Sequence, residues 1–403
     1  MTTAVRVRIQ QAPKRQVAAA ESLPLLDPNG AGVALGFVPN TTGLAAPVVP
    51  SDRSLFAPRG ACVTADGSLW VADTGHHRML GWSSLPTQDN ESATLLVGQP
   101  SFHEEGRNAR VGAGPATLNV PTGIAACGPG LAVADAWNHR VLLWNETPTR
   151  SNQPADIVLG QKTYEAVESN RGSDVPSDDT LFWPFGVAWD GTRLWVADTG
   201  NRRVLVWDGW PTQCGQKADL VLGQKSFTCR DENAGGNPDS TSMRWPHGIA
   251  FLGDRVCVTD AGNSRIMVWA SVPGHDGAPC DAIVGQRSSD SVDHNQGDYW
   301  PGAATLNMPY AITVIADWLV VADTANSRLL GWHADAIRDC GSAAARLTGQ
   351  PDWESKGDNR WSVATRDSLC WPYGVCADRA QIIIADAGNN RVLLWPWSPE
   401  LVP

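Results

Sequence analysis

Lysine is scarce in this sequence: five of the 403 residues are lysine, and the formal net charge is −11. Four basic residues, Arg6, Arg8, Lys14 and Arg15, lie within the first 20 positions, which contain no acidic residue. Without these four, 27 of the 31 basic residues remain against 42 acidic ones, so the rest of the chain carries a charge near −15. Binding to a phosphate backbone needs clustered Lys and Arg side chains. The composition therefore argues against nucleic acid as a partner.

Long hydrophobic runs are also missing, since no stretch approaches the roughly 18 apolar residues of a membrane span. The first 30 residues lack the hydrophobic segment of a secretion signal. The nine cysteines form no Cys-x-x-Cys pair, and Cys62, Cys257 and Cys376 fall within apolar stretches. These features predict buried free thiols, a cytoplasmic location and no membrane insertion.

Charged residues make up only 18% of the chain, whereas Gly (39) and Pro (28) are abundant. Gly and Pro interrupt regular structure between short strands, so this composition favours a turn-rich all-β protein.

One pattern occurs six times: Pro-x-Gly, an apolar run ending in Asp, then Asn, Arg and Trp, with His76 replacing one Asn and Ala311 one Gly. The aspartates, 62 or 63 residues apart, are Asp73, Asp135, Asp198, Asp260, Asp323 and Asp386. The arginines, five residues later, are Arg78, Arg140, Arg203, Arg265, Arg328 and Arg391. Because a catalytic site is needed only once, we interpret these pairs as structural. We expect the Asp to accept N–H bonds in its turn and the Arg to bridge to a neighbouring strand or blade.

Each repeat divides into four short strands, and repeated four-stranded sheets arranged radially form a β-propeller. The predicted fold is therefore all-β, a single six-bladed β-propeller. The predicted blades lie near residues 55–100, 118–162, 181–225, 243–287, 306–351 and 369–396.

The sixth repeat ends at Trp395 without a fourth strand, whereas Gly32–Gly36 near the N-terminus resembles the fourth strands of other repeats. We therefore expect residues 32–37 to close the last blade, which gives a propeller spanning 32–403. Residues 1–31 are predicted to form a flexible basic arm.

The stretch Leu194–Val204, preceded by Pro-x-Gly, resembles the NHL repeat, and the resemblance covers about residues 32–396. It implies a β-propeller but no single activity, because similar repeats serve in RNA binding, in protein binding and, with zinc, in lyases. Bacterial-type NHL proteins of this kind resemble accessory factors for larger enzymes, including factors in metalloenzyme assembly.

The topology places the turns between second and third strands on the same face as the connections between blades. These connections run 22 or 23 residues from a repeated Gln to the next repeated Pro, and long loops on a rigid scaffold often carry recognition.

The residues after each Pro, expected around the mouth of the central channel, are Arg59, Thr122, Phe185, His247, Tyr310 and Tyr373. They could bind a small anionic or planar ligand or a peptide end, or simply plug the channel. Trp183, Trp245 and Trp371 could form an apolar patch on this face.

A zinc site would need about three converging histidines, and only His247 is expected at the channel mouth. No HExxH, G-x-S-x-G or phosphate-loop motif occurs. We therefore assign no catalytic residue, metal or cofactor, and expect a protein-interaction scaffold or accessory factor that binds another protein through the long-loop face. The alternative is a lyase or hydrolase, metal-dependent or not, with a site around His247, Tyr310, Tyr373 and Arg59.

Overall fold

A computed structural model describes residues 22–36, 48–379 and 381–398. It shows six sheets that follow one another around a central axis, as predicted, and each repeat supplies one blade. The N-terminal segment contributes two strands, β1 (Leu23–Pro24) and β2 (Val33–Leu35). The strands of blades 1 to 3 are β3 (Gly60–Val63), β4 (Leu69–Asp73), β5 (Arg78–Trp82) and β6 (Leu95–Val97); β7 (Pro121–Cys127), β8 (Gly130–Asp135), β9 (Arg140–Trp144) and β10 (Ile157–Leu159); β11 (Val187–Trp189), β12 (Arg193–Asp198), β13 (Arg203–Asp208) and β14 (Leu220–Leu222).

The strands of blades 4 to 6 are β15 (Pro246–Leu252), β16 (Arg255–Asp260), β17 (Arg265–Trp269) and β18 (Ala282–Val284); β19 (Pro309–Ile315), β20 (Trp318–Asp323), β21 (Arg328–His333) and β22 (Arg346–Thr348); β23 (Pro372–Asp378), β24 (Gln381–Asp386) and β25 (Arg391–Pro396). Neighbouring strands within each repeat pair antiparallel. The first strand of each blade lies nearest the axis, which brings the residues after the repeated prolines together there.

The helical segments within the described ranges are single 3-10 turns. Those between second and third strands are Thr74–His76, Ala136–Asn138, Thr199–Asn201, Ala261–Asn263, Thr324–Asn326 and Ala387–Asn389. Those in connections are Arg107–Arg110, Ser169–Gly172, Glu232–Gly235, His294–Gly297, Ala334–Ala336 and Asp358–Trp361. None of the helices in the described part of the chain is long and apolar enough to cross a membrane.

The core lies between blades, in six apolar clusters that each join two neighbouring sheets. The repeated Trp of each third strand is buried there: Trp207, for example, packs with Leu143 and Leu159 of blade 2. Its indole N–H donates to the carbonyl of Gln216 at 3.0 Å. Burying a large aromatic ring while satisfying its one polar group explains why Trp stands at this position in all six repeats.

The ring is closed by the N-terminal strand, which confirms the sequence prediction. β2 pairs antiparallel with β25, with Val33 opposite Leu394 and Leu35 opposite Val392. The indole of Trp395 donates to the carbonyl of Asp27 at 2.8 Å. The N-terminal segment therefore supplies blade 6 with both its fourth strand and the acceptor for its core Trp.

Residues before the expected boundary at residue 32 also pack on the propeller. β1 pairs parallel with β22 and adds a fifth strand to blade 5. Leu25 and Leu26 are buried in the cluster between blades 5 and 6, which gives this segment a packing role that the repeat pattern did not indicate. Residues 1–21, which hold the basic positions of the predicted arm, lie outside the described residues.

Candidate functional site

The repeated Asp and Arg side chains form a buried network. In blade 3, Asp198 Oδ1 accepts the N–H of Phe182 at 2.7 Å, and Asp198 Oδ2 accepts Arg203 Nε at 2.8 Å. Asp198 and Arg203 are both fully buried. The backbone N–H group thus comes from the segment before the first strand, rather than from the turn that carries the Asp.

In blades 1 to 5 the repeated Arg also holds the chain segments on either side of its blade. The two terminal nitrogens of Arg203 donate to the carbonyls of Ser177 and Thr180 in the preceding connection and to that of Phe227 in the following one. Nε–Oδ2 distances of 2.7–3.0 Å recur in all six blades. The network therefore fastens the connections to the blades.

Pairs of asparagine amides fasten the same connections a second time. Asn201 Nδ2 donates to Asn170 Oδ1 at 2.8 Å, and Asn170 Nδ2 donates back at 3.0 Å. The pairs are Asn108–Asn138, Asn170–Asn201, Asn233–Asn263, Asn295–Asn326 and Asn359–Asn389. In blade 1, His76 replaces the asparagine, and its Nδ1 lies 2.8 Å from Asp73. The long connections are thus folded parts of the scaffold.

The six residues after the repeated prolines meet around the axis. We call this set, Arg59, Thr122, Phe185, His247, Tyr310 and Tyr373, the axial mouth. Neighbouring ring centroids lie 4.2 Å apart for Phe185 and His247, 4.4 Å for His247 and Tyr310, and 4.7 Å for Tyr310 and Tyr373. Thr122 completes the circle through its hydroxyl, which donates to the Phe185 carbonyl at 2.8 Å.

Arg59 caps the aromatic stack, with its guanidinium 4.9 Å from the centroid of Tyr373. A cavity of about 80 Å³ opens at this point, lined by Arg59, by His247 and the two tyrosines, and by glycines and aliphatic residues of the inner strands. None of the described Asp or Glu residues lines it. The cavity is therefore small, and the one formal charge among the described residues that line it is positive.

His247 is a neutral, donating imidazole. Its side chain is buried, and its Nδ1 lies 2.8 Å from the carbonyl of Trp245, which fixes Nδ1 as the protonated nitrogen. Burial, reinforced by the positive charge of Arg59, lowers the pKa of His247 to about 3. Burial likewise raises the pKa of Tyr310 and of Tyr373, so both phenols remain protonated donors.

The three tryptophans before the prolines differ in exposure. Trp183 and Trp371 are exposed by 42% and 46%, on the face formed by the connections and the turns after second strands, which we call the loop face. Trp245 is less exposed than these two, because Arg244 covers it at 5.1 Å and is held by Glu232 at 2.9 Å. Two of the three expected tryptophans are therefore exposed to solvent.

Comparison with known proteins identifies the repeat. The family model for the NHL repeat matches residues 57–82 and 243–269. NHL repeat-containing protein 2 of Gallus gallus is 28% identical over 204 residues, which is 47% of this chain and 25% of that protein. The chain contains NHL repeats and folds into a β-propeller. Since only a quarter of that relative is spanned, the relative's other regions have no counterpart in the alignment.

Several solved structures are similar to this chain at low identity. Hydrazine synthase of Kuenenia stuttgartiensis is 12% identical, with 89% of this chain and 98% of that chain covered and a TM-score of 0.49. A streptogramin B lyase structure is 10% identical, with 87% and 96% covered and a TM-score of 0.42. A chain of a nidogen–laminin complex is 12% identical, with 80% and 96% covered and a TM-score of 0.39. Similarity at this level carries no information on activity.

The NHL propeller exposes further aromatic side chains on the loop face that the repeat pattern did not single out. Trp137, in the turn of blade 2, is 44% exposed under Arg107, and Trp361, in the connection to blade 6, is 78% exposed. Both stand in variable positions beside the paired asparagines Asn138 and Asn359. In the sequence, the feature that could have identified these two tryptophans is a large apolar residue in an otherwise polar turn.

Among the described residues, no three His, Cys, Asp or Glu side chains are placed to hold a metal ion. All nine cysteines are free; Cys62, Cys127 and Cys257 are buried, whereas Cys214 and Cys340 are exposed. The aromatic loop face and the axial mouth are candidate recognition surfaces of the described residues.

Proposed function

We propose that this NHL propeller is a non-catalytic cytoplasmic scaffold or accessory factor that binds another protein through the loop face. The observation that carries the proposal is the exposure of Trp137, Trp183, Trp361 and Trp371 on that face. Trp and Arg dominate the energetics of protein interfaces, and Arg107 and Arg244 each lie over a tryptophan ring here.

Rigidity of the connections supports a binding role. Each connection is fastened by a buried Arg and, in five cases, by an asparagine pair. A surface that is already ordered loses little conformational entropy on binding, which favours affinity. The exposed tryptophans are therefore presented by a preorganised scaffold.

Two features favour binding over catalysis at the axial mouth. With a pKa of about 3, His247 is too weak a base for general-base catalysis near neutral pH. The 80 Å³ cavity is also well below the roughly 300 Å³ at which small-molecule pockets begin. A lyase or hydrolase reaction at this position would need another base and a larger site.

The test is affinity purification from the organism that produces the protein. The double variant Trp183→Ser/Trp371→Ser removes the two exposed rings nearest the axial mouth. Trp210→Ser is the matched control, since Trp210 lies after a third strand, on the opposite face, and bonds Asn145 at 2.8 Å.

A partner retained by the native protein and by Trp210→Ser, but lost from the double variant, is the expected result. Equal recovery of every partner by all three proteins contradicts docking on the loop face. Circular dichroism spectra of the variants establish that the propeller is folded in each case.

A further inference from the structure

Arg59 is the one charged side chain at the axial mouth, and its charge is not compensated within the described structure. Its guanidinium has no hydrogen-bond or ion-pair partner among the described residues, and its Nε is shielded from solvent. The guanidinium lies over the face of the Tyr373 ring. Leaving a shielded polar atom without a protein partner is costly, and native proteins commonly satisfy such an atom with a bound water or ion.

The surroundings of Arg59 select the charge of a ligand. The part of the cavity wall that the structure describes contains no carboxylate, although the chain as a whole carries a net charge of −11. Tyr310 and Tyr373 keep their phenolic protons, because burial raises the pKa of each. The Arg59 guanidinium, which lies over the ring of Tyr373, is suited to a carboxylate, which accepts hydrogen bonds and offsets the charge.

The geometry excludes a planar ligand inserted between the rings. Neighbouring centroids from Phe185 to Tyr373 are already 4.2–4.7 Å apart, which is the spacing of aromatic side chains in direct contact. The stacking positions are therefore occupied by the protein itself. The cavity of about 80 Å³ has room for a carboxylate group or a few water molecules.

We propose that the axial mouth is a carboxylate-binding site in which the Arg59 guanidinium holds the anion, with the phenols of Tyr310 and Tyr373 beside it. The rest of the ligand stands outside the mouth, where Trp371 lies 6.4 Å from Tyr373. The carboxylate is either that of a free small acid or the terminus of a polypeptide. The site goes beyond docking on the loop face and stands whether or not a protein partner is found.

The test is calorimetric titration of the full chain with acetate at constant ionic strength. Acetamide, which has the same shape without the charge, is the ligand control. Arg59→Gln removes the anchor, and Arg107→Gln is the matched control, because Arg107 also covers an aromatic ring on the same face but lies 5.2 Å over Trp137. Thermal unfolding of each variant establishes that the fold is retained.

We expect saturable acetate binding in the millimolar range, no acetamide binding, and affinity at least about tenfold weaker in Arg59→Gln, as the loss of a charged hydrogen bond implies. Arg107→Gln should bind acetate like the native protein. No saturable acetate binding, or equal binding by Arg59→Gln, overturns the proposal.

A second arm assigns the source of the carboxylate. Trialanine is compared with its C-terminal amide under the same conditions. If trialanine binds more tightly than acetate and its amide does not bind, the site is assigned to a polypeptide terminus. Binding of acetate without binding of either peptide assigns it to a free small acid, and either result supports the site.

Discussion

Gly186 packs so closely against His247 that a Cβ atom on residue 186 would overlap the backbone carbonyl oxygen of His247. A Cβ atom on Gly374 would likewise come within 2.6 Å of the Arg59 carbonyl oxygen. The glycines of the Pro-x-Gly motif therefore let neighbouring inner strands approach each other. This approach is what brings the side chains of the axial mouth into contact.

Gly186→Ala is expected to destabilise the protein by about 1–3 kcal/mol, the usual cost of overpacking. The obstacle is backbone, which cannot move aside as a side chain can. Denaturant unfolding measures the change. Gly274→Ala is the control, because nothing lies within 4 Å of its Cβ position, and its effect should stay within about 0.5 kcal/mol. Equal stability of the two variants would contradict close inner-strand packing.

Arg203→Ala is expected to cost about 3–5 kcal/mol, because it leaves the buried Asp198 carboxylate without its cation. The control in the same blade is Arg193→Ala, whose partner Asp208 is 70% exposed, so its loss should cost at most about 1 kcal/mol. Urea unfolding of both variants gives the comparison. Similar losses of stability in the two variants would show that the Asp–Arg network does not fasten the connections.

His139 gives the protein a measurable pH dependence. Its Nδ1 accepts the N–H of Trp183 at 3.0 Å, and burial lowers the pKa of His139. Because the neutral form is favoured in the folded state, its stabilisation is complete above the unfolded pKa of about 6.5 and is lost as the pH falls below that value. The stability measured by thermal unfolding should therefore decrease as the pH is lowered from about 7.5 to about 5, the range in which histidine titrates.

His139→Asn isolates this contribution. In blade 6 an asparagine already fills the equivalent position, where Asn390 Oδ1 accepts the N–H of Ala57 at 2.9 Å. The variant should keep the hydrogen bond and lose part of the acid sensitivity. An unchanged dependence on pH would show that His139 does not titrate against this bond.

The repeat determined most of the fold because spacing and residue type recur six times. Pro-x-Gly, Asp and Trp each have a local physical role, so blade number and the closing strand followed from the pattern. The pairing of Leu23 with β22 did not follow, since two residues joining an outer edge leave no periodic signal. Nor could the pattern tell that Arg244 covers Trp245 while Trp183 and Trp371 remain open. Such differences depend on single neighbours in variable connections.

Deletion of residues 1–36 removes β1 and β2 and leaves β25 as an unpaired edge. We expect a lower unfolding temperature and self-association, because an open hydrophobic edge strand pairs with other chains. Deletion of residues 1–21 is the control, since it retains both strands. Light scattering and thermal unfolding measure the two effects. A 1–36 deletion as stable and monodisperse as the control would contradict closure by β2.

Site-specific photocrosslinking tests docking on the loop face most directly. A benzophenone side chain replaces Trp371 on the loop face or, as the control, Trp210 on the opposite face, and the producing cells are irradiated. The account predicts a covalent adduct with one protein from position 371 and none from position 210. Absence of an adduct at position 371, or the same adduct from both positions, would contradict it.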